Sequence, residues 1–152
     1  MQDVVAKALL HGLYVLTCKD GQRINGMTAA WVSQVSFNPL LIAVSVAPER
    51  HTHELLQNSS HFALNSLRGG QLDLARKFGF RSGRNTDKLE GIAHHPAANG
   101  SPVLDDAVAY VECRIQDTVT TGDHTLFIGE AVDGKVLADQ DVLPFRWGDF
   151  FK

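Results

Sequence analysis

The sequence predicts a mostly β chain wound into a closed or nearly closed antiparallel barrel, with two short helices at its flank. Three observations lead there. Apolar residues fall in short runs rich in β-branched side chains, and turn signals bound them. Two of those runs, 109–115 and 124–132, alternate with the period of a strand that has one face buried. Only two stretches carry helical signals, and both are short. A barrel of this kind leaves no exposed edge strand and often holds a ligand at its mouth or side.

Residues 12–18 read as the first strand, followed by the turn pair Asp20-Gly21. Residues 26–35 read as a second stretch, interrupted by small residues. Residues 40–46 are nearly all apolar, as in a strand buried on both faces, with Pro39 and Pro48 as limits. A helix is expected over 52–58, with Thr52 as N-cap and Glu54 at the positive end of its dipole. Residues 61–67 give a strand. A second helix is expected over 71–78, with Leu74 and Phe78 on one stripe and Gly79 as stop signal. The polar, Gly-rich stretch 80–101 reads as a long loop, functional or mobile. The strands 109–115 and 124–132 follow, and Asp133-Gly134 is expected to turn into a last strand over 135–138.

The chain has 152 residues, which fits one domain over 1–152. Its formal charge of −3 leaves no excess cation for phosphate backbones, so nucleic-acid binding is not expected. No apolar run is long enough to span a membrane. The N-terminus lacks the basic region and apolar core of a signal peptide. Cys18 and Cys113 lie far apart and in no CxxC. Two unbridged, half-buried thiols in a reducing cytosol are the plain expectation. No His/Cys set has ligand spacing, so no metal site is expected.

Four segments carry chemistry. Asn25-Gly26-Met27-Thr28-Ala29-Ala30-Trp31 lets a flat ligand approach the backbone and offers Trp31 as a cover. On composition alone it better suits a glycine-bent strand around a core tryptophan, since a glycine in a strand usually marks a bend. Pro48-Glu49-Arg50-His51-Thr52-His53 joins an arginine, a hydroxyl and a helix start, as a phosphate monoester requires, or as ordinary capping does. Lys88, in Asp87-Lys88-Leu89-Glu90-Gly91, is a second candidate phosphate or ring contact, or a solvated loop lysine. His124, in Gly122-Asp123-His124-Thr125-Leu126-Phe127-Ile128-Gly129-Glu130, opens a strand, where it could guide a proton or stand at the surface.

Taken in series, these segments resemble the flavin reductase-like family with the FMN-binding split β-barrel. The order N-G-M-T-A-A-W, V-S-F-N-P-L-L-I-A-V-S-V, P-x-R-x-T-H-E-L, F-A-L-N-S-L, L-A-R-K-F-G, D-K-L-E-G, G-D-H-T-L-F-I-G-E matches over about 12–136. The N-G-M-T-A-x-W version looks most like the flavoredoxin, NAD(P)H:rubredoxin oxidoreductase and flavodiiron-associated flavin reductase branch.

The resemblance implies a Greek-key antiparallel barrel, a homodimer and non-covalent FMN. It places Asn25, Gly26, Met27, Thr28 and Ala29 along the isoalloxazine and its ribityl chain, with Trp31 close by. Arg50 and Thr52 look like phosphate contacts, Lys88 like a reach from the loop, and Ser45 like a contact at the end of the buried strand. His124 looks like the catalytic histidine facing the flavin. The implied activity takes hydride from NAD(P)H and passes electrons to free flavin or to a rubredoxin-like or flavodiiron-like protein. The alternative is an FMN-binding electron-transfer protein with no nicotinamide site. The C-terminal aromatics Phe145, Trp147 and Phe150 match no tail of the resemblance.

Overall fold

The computed structural model describes residues 1–151. Seven strands form one antiparallel sheet: β1 (Tyr14–Asp20), β2 (Arg23–Ala29), β3 (Val32–Ser36), β4 (Leu41–Val46), β5 (His61–Ser66), β8 (Ala109–Thr121) and β9 (His124–Val136). Between β5 and β8, β6 (His94–Pro96) and β7 (Pro102–Leu104) form a separate two-stranded ladder. The helices are α1 (Gln2–Ala8), α2 (His51–Asn58) and α3 (Leu72–Phe80). None of them is long and apolar enough to cross a membrane.

The sheet order is β2-β1-β5-β8-β9-β4-β3. Its two terminal strands, β2 and β3, follow each other in sequence. The chain therefore passes from one end of the sheet to the other through Ala30 and Trp31 alone. The stretch expected over 26–35 is thus two strands on opposite sides of a seam. Trp31 accepts from the Ser45 amide at 3.0 Å, and this ties the crossing to β4.

The barrel interior holds Leu16, Cys18, Val44, Val46, Phe62 and Phe127, and α2 adds Leu55 and Leu56 to it. Burying each large side chain of this set is worth about 1.5–3 kcal/mol. A second cluster lies outside the barrel under α3, where Phe78 and Ala75 pack with Leu13, Val15 and Leu104. Gly26 is where that helix approaches the sheet. A Cβ there would stand 3.1 Å from both Phe78 and Val15.

Several expectations change. Asp133-Gly134 is no turn. β9 runs through it, because Gly134 lies against β8, where a Cβ would sit 2.5 Å from the Tyr110 carbonyl oxygen. The hairpin turns instead at Gly122-Asp123, with Gly122 at φ 59. β8 continues six residues past the expected end at 115, as an exposed polar ribbon paired to β9. Gly79 does not stop α3 but lies within its last turn. Thr52 is not the N-cap. Arg50 holds that position, and Thr52 is inside the first turn. Cys18 and Cys113 are fully buried rather than half-buried, and burial pushes both thiols up to about 12.

The stretch 80–101 is not structureless, since it contains β6. A buried polar network pins β7, the partner strand of β6, to the barrel. Thr17 donates to the Pro102 carbonyl at 2.6 Å, and Asn65 accepts from the Leu104 amide at 2.9 Å while donating to Val15 at 3.1 Å. Buried polar groups partnered in this way specify one arrangement of the loop.

Candidate functional site

Two cavities meet at Arg50, Gly79 and Phe80. The larger, about 370 Å³, opens at the seam of the sheet. Met27, Thr28 and Ala29 of β2 form one wall, Ala30 and Trp31 of the crossing another, and Ser45 of β4 and His124 of β9 a third. The remaining wall is aromatic: Phe80 at the end of α3, and Phe145, Trp147, Phe150 and Phe151 from the C-terminal segment. These rings pack on one another, with Phe145 centred 5.1 Å from Trp147 and 5.4 Å from Phe150. A cavity with apolar walls and few polar groups suits a large planar ligand.

The smaller cavity, about 200 Å³, is lined by Asn25, Arg50, His51, Thr52, Arg81, Arg84 and Lys88. Its floor is built from β2 and α2, where Asn25 donates to the Thr52 hydroxyl at 3.0 Å. Thr52 keeps its own O–H as a donor. The cations come from different directions. Arg50 leaves the start of α2 and donates to the Gly79 and Phe78 carbonyls at 3.0 and 3.3 Å. Lys88 comes from the loop after α3, is 2% exposed, and donates to Phe78 at 3.1 Å and Arg81 at 3.0 Å. The last carbonyls of α3 therefore orient both cations, as expected at the negative end of a helix.

This concentration of positive charge shows in the titration of Lys88. Burial, and then the charge of Arg50, lower its ammonium to about 8. Burial also lowers Arg50. His51 Nδ1 is buried without a hydrogen bond, 3.5 Å from Glu54 Oε2. Two cations, a free hydroxyl donor and the start of α2 form a donor set for a phosphate ester.

His124 lies against Trp31, with ring centroids 4.9 Å apart. Its Nδ1 is 2.8 Å from Asp123 Oδ1, and that hydrogen bond lowers the Asp123 carboxyl. A carboxylate at Nδ1 holds the ring proton there and leaves Nε2 as the acceptor. A second histidine, His53, is buried under α2, with Nε2 2.8 Å from the Thr125 hydroxyl. It ties the helix start to the strand that carries His124.

The structure thus brings Met27, Thr28, Ala29, Trp31, Ser45, Arg50 and His124 around the apolar cavity, and Asn25, Thr52, Lys88 and Arg50 around the cationic one. Gly26 lines neither and serves helix packing. Thr28 donates its hydroxyl to the Ala75 carbonyl at 2.6 Å. The sequence reading missed His51, the 81–84 segment and the aromatic C-terminus. His51 stood next to two singled-out residues. The aromatics carried no spacing signal.

Residues 6–150 match the model of the flavin reductase-like domain. The chain belongs to the flavin reductase-like family. Its barrel is that family's split barrel.

Among relatives of this flavin reductase-like chain, a high molecular weight rubredoxin of Moorella thermoacetica is 38% identical over 97% of the chain. The ferric-chelate reductase (NAD(P)H) of Archaeoglobus fulgidus is 34% identical over 89% of the chain and 81% of that protein. The chain spans 65% of the rubredoxin and 22% of diflavin flavoprotein A 1 of Synechocystis, which is 37% identical over 82% of the chain. An FMN-binding protein of Thermus thermophilus superposes with a TM-score of 0.80 at 32% identity, over 85% of this chain and 72% of that one. The NADH:FAD oxidoreductase SgcE6 of Streptomyces globisporus superposes at 0.90 with 28% identity, over 99% and 89%.

Proposed function

We propose that the chain, as one domain, binds FMN non-covalently, takes hydride from NAD(P)H and passes electrons to free flavin or to a rubredoxin-like or flavodiiron-like protein. One observation carries this reading: an apolar, aromatic-walled cavity joins a cationic cleft at Arg50, in the order ring then phosphate. Bound FMN supplies the redox chemistry.

The chain's own residues do the rest. Arg50, Lys88 and Thr52 hold the phosphate. Met27, Ala29 and the aromatic C-terminal segment exclude water from the ring. That strengthens each polar contact inside the cavity. Trp31 fixes the plane of His124, and Asp123 holds its proton at Nδ1, so Nε2 can accept a proton at the rim of the cavity.

The active form is proposed to be a homodimer. Support comes from large apolar side chains left exposed near the seam: Val35 at 53%, Phe37 at 88% and Leu40 at 44%. A cytoplasmic setting suits the two buried, unbridged thiols.

The deciding experiment is the anaerobic visible spectrum with FMN and then NADH or NADPH. Uptake of FMN followed by bleaching on nicotinamide addition is expected. Bleaching with dithionite alone would replace the reductase reading with an electron-transfer protein. No uptake would overturn both.

A further inference from the structure

We propose that residues 81–84 form a strap that closes the cationic cleft over a terminal phosphate, so that the chain selects FMN against FAD, and that Arg84 fastens it. The proposal rests on the flavin reading above. Relatives already named include an FMN-binding protein and an NADH:FAD oxidoreductase, so family membership does not choose between the two flavins.

The strap crosses the cleft. Arg81, Ser82, Gly83 and Arg84 form one side, and Glu49, Arg50, His51 and Thr52 the other. Arg84 spans the gap between them. Its Nη1 donates to the Glu49 carbonyl at 3.0 Å and its Nη2 to Glu54 Oε2 at 3.3 Å. Glu54 belongs to α2 and Glu49 to the turn before it, so the strap is tied to the element that presents Thr52.

Gly83 seats the strap on the floor. A Cβ at Gly83 would stand 2.4 Å from Asn25 Oδ1 and 2.6 Å from its Cγ. Asn25 is 3% exposed and bonded to Thr52, so it has little room to yield. Glycine is needed here for space.

A flavin whose chain ends in phosphate terminates under this strap. A dinucleotide carries a second phosphate and an adenosine beyond that point. The 200 Å³ cleft has little more than half the volume of the ring cavity. FAD must lift the strap, break both Arg84 bonds and draw Gly83 off Asn25. Its second phosphate would then lie beside the Glu54 carboxylate without the guanidinium that faces it now. The exposed Arg84–Glu54 pair contributes little by itself. The discrimination rests on the bonds and the seat breaking together.

The test is equilibrium titration of FMN and FAD, read by quenching of flavin fluorescence, on the wild type, Arg84→Ala and Gly83→Ala. The wild type is expected to bind FMN at least about tenfold more tightly than FAD. Both variants are expected to lower that ratio by about threefold or more, with thermal melting unchanged for Arg84→Ala. Wild-type affinities within about twofold of each other, or a ratio that neither variant moves, overturn the strap while leaving the flavin site standing. A wild type that takes up neither flavin overturns the flavin reading, and the strap falls with it.

Discussion

Flavin affinity is expected to fall as pH rises from 7 to 9, and Lys88 is the cause. In the free protein its ammonium is lowered to about 8, first by burial and second by Arg50. A dianionic phosphate beside it favours the charged form and returns the group toward its ordinary value. Only the protonated lysine is fully competent to bind. With an apparent constant divided by the competent fraction, a group titrating near 8 is roughly 90% charged at pH 7 and roughly 10% at pH 9. The dissociation constant of FMN therefore rises by up to about tenfold over that interval, or about 1.4 kcal/mol. The phosphate itself is fully charged across the range, since its second ionisation lies near 6.

The assay is FMN titration by fluorescence quenching at half-unit pH steps, on the wild type and on Lys88→Met. The variant should bind at pH 7 about as weakly as the wild type does at pH 9, with a flat profile. Calorimetry in two buffers of different ionisation enthalpy should show proton uptake on binding at pH 8.5 in the wild type alone. A wild-type dissociation constant that changes less than about twofold, or an equal slope in Lys88→Met, refutes the reasoning. The same lowered group acts oppositely on folding. Between about 8 and its ordinary value the unfolded chain holds the extra proton, so the wild type gains stability relative to Lys88→Met as pH rises through that window.

Other predictions follow from the same geometry. Arg50→Ala with Thr52→Ala should weaken FMN binding at least about tenfold, since hydrogen bonds to charged groups are worth roughly 1.5–3 kcal/mol each; an unchanged constant by titration would move the phosphate elsewhere. His124→Ala should change the flavin midpoint potential or the rate of reduction by NADH more than the melting temperature. A large drop in melting temperature with unchanged redox behaviour would make His124 structural. Phe37→Asp should shift the sedimentation coefficient to that of a monomer, and an unaltered value would place the dimer contact away from the β3–β4 hairpin. Cys18 and Cys113 should resist thiol reagents in the native state at pH 8, because both are fully buried with thiols near 12; rapid labelling of either would contradict the packing.

The barrel was legible where side-chain chemistry alone decides. β4 is a short apolar run between two prolines, and α2 begins one residue before the start that Thr52 signalled, with Arg50 rather than Thr52 as its N-cap. The misread turns share one cause. A Gly-containing pair is ambiguous between a turn and a close backbone approach, and only the partner strand distinguishes them. Gly134 answers to Tyr110, more than twenty residues earlier. Gly122, which does turn, looked no different locally. The outer half of β8 was missed because it is polar on both faces, so its strand character comes only from pairing with β9. Taken alone, Lys88 read either as a phosphate contact or as a solvated loop lysine. Its burial depends on the carbonyls of Phe78 and Arg81, acceptors that no spacing within the loop reveals. The aromatic wall from the C-terminal segment is likewise a tertiary event, since those rings meet the cavity only after the chain has crossed the barrel's end.

The passage of the chain through Ala30 and Trp31 has a consequence for how the molecule opens. Neighbouring strands in the sheet are joined by ladders of backbone bonds, whereas β2 and β3 are joined through Ala30 and Trp31, which line the cavity. Local opening follows the weakest junction, so the amides of β2 and β3 should exchange with solvent sooner than those of β5 and β8. A flat ligand wedged there acts as the rung that the protein does not make for itself. Its binding energy then adds to the cooperativity of the whole barrel, by mass action with ligand concentration. Cofactor supply would thus set the lifetime of the fold as well as its activity.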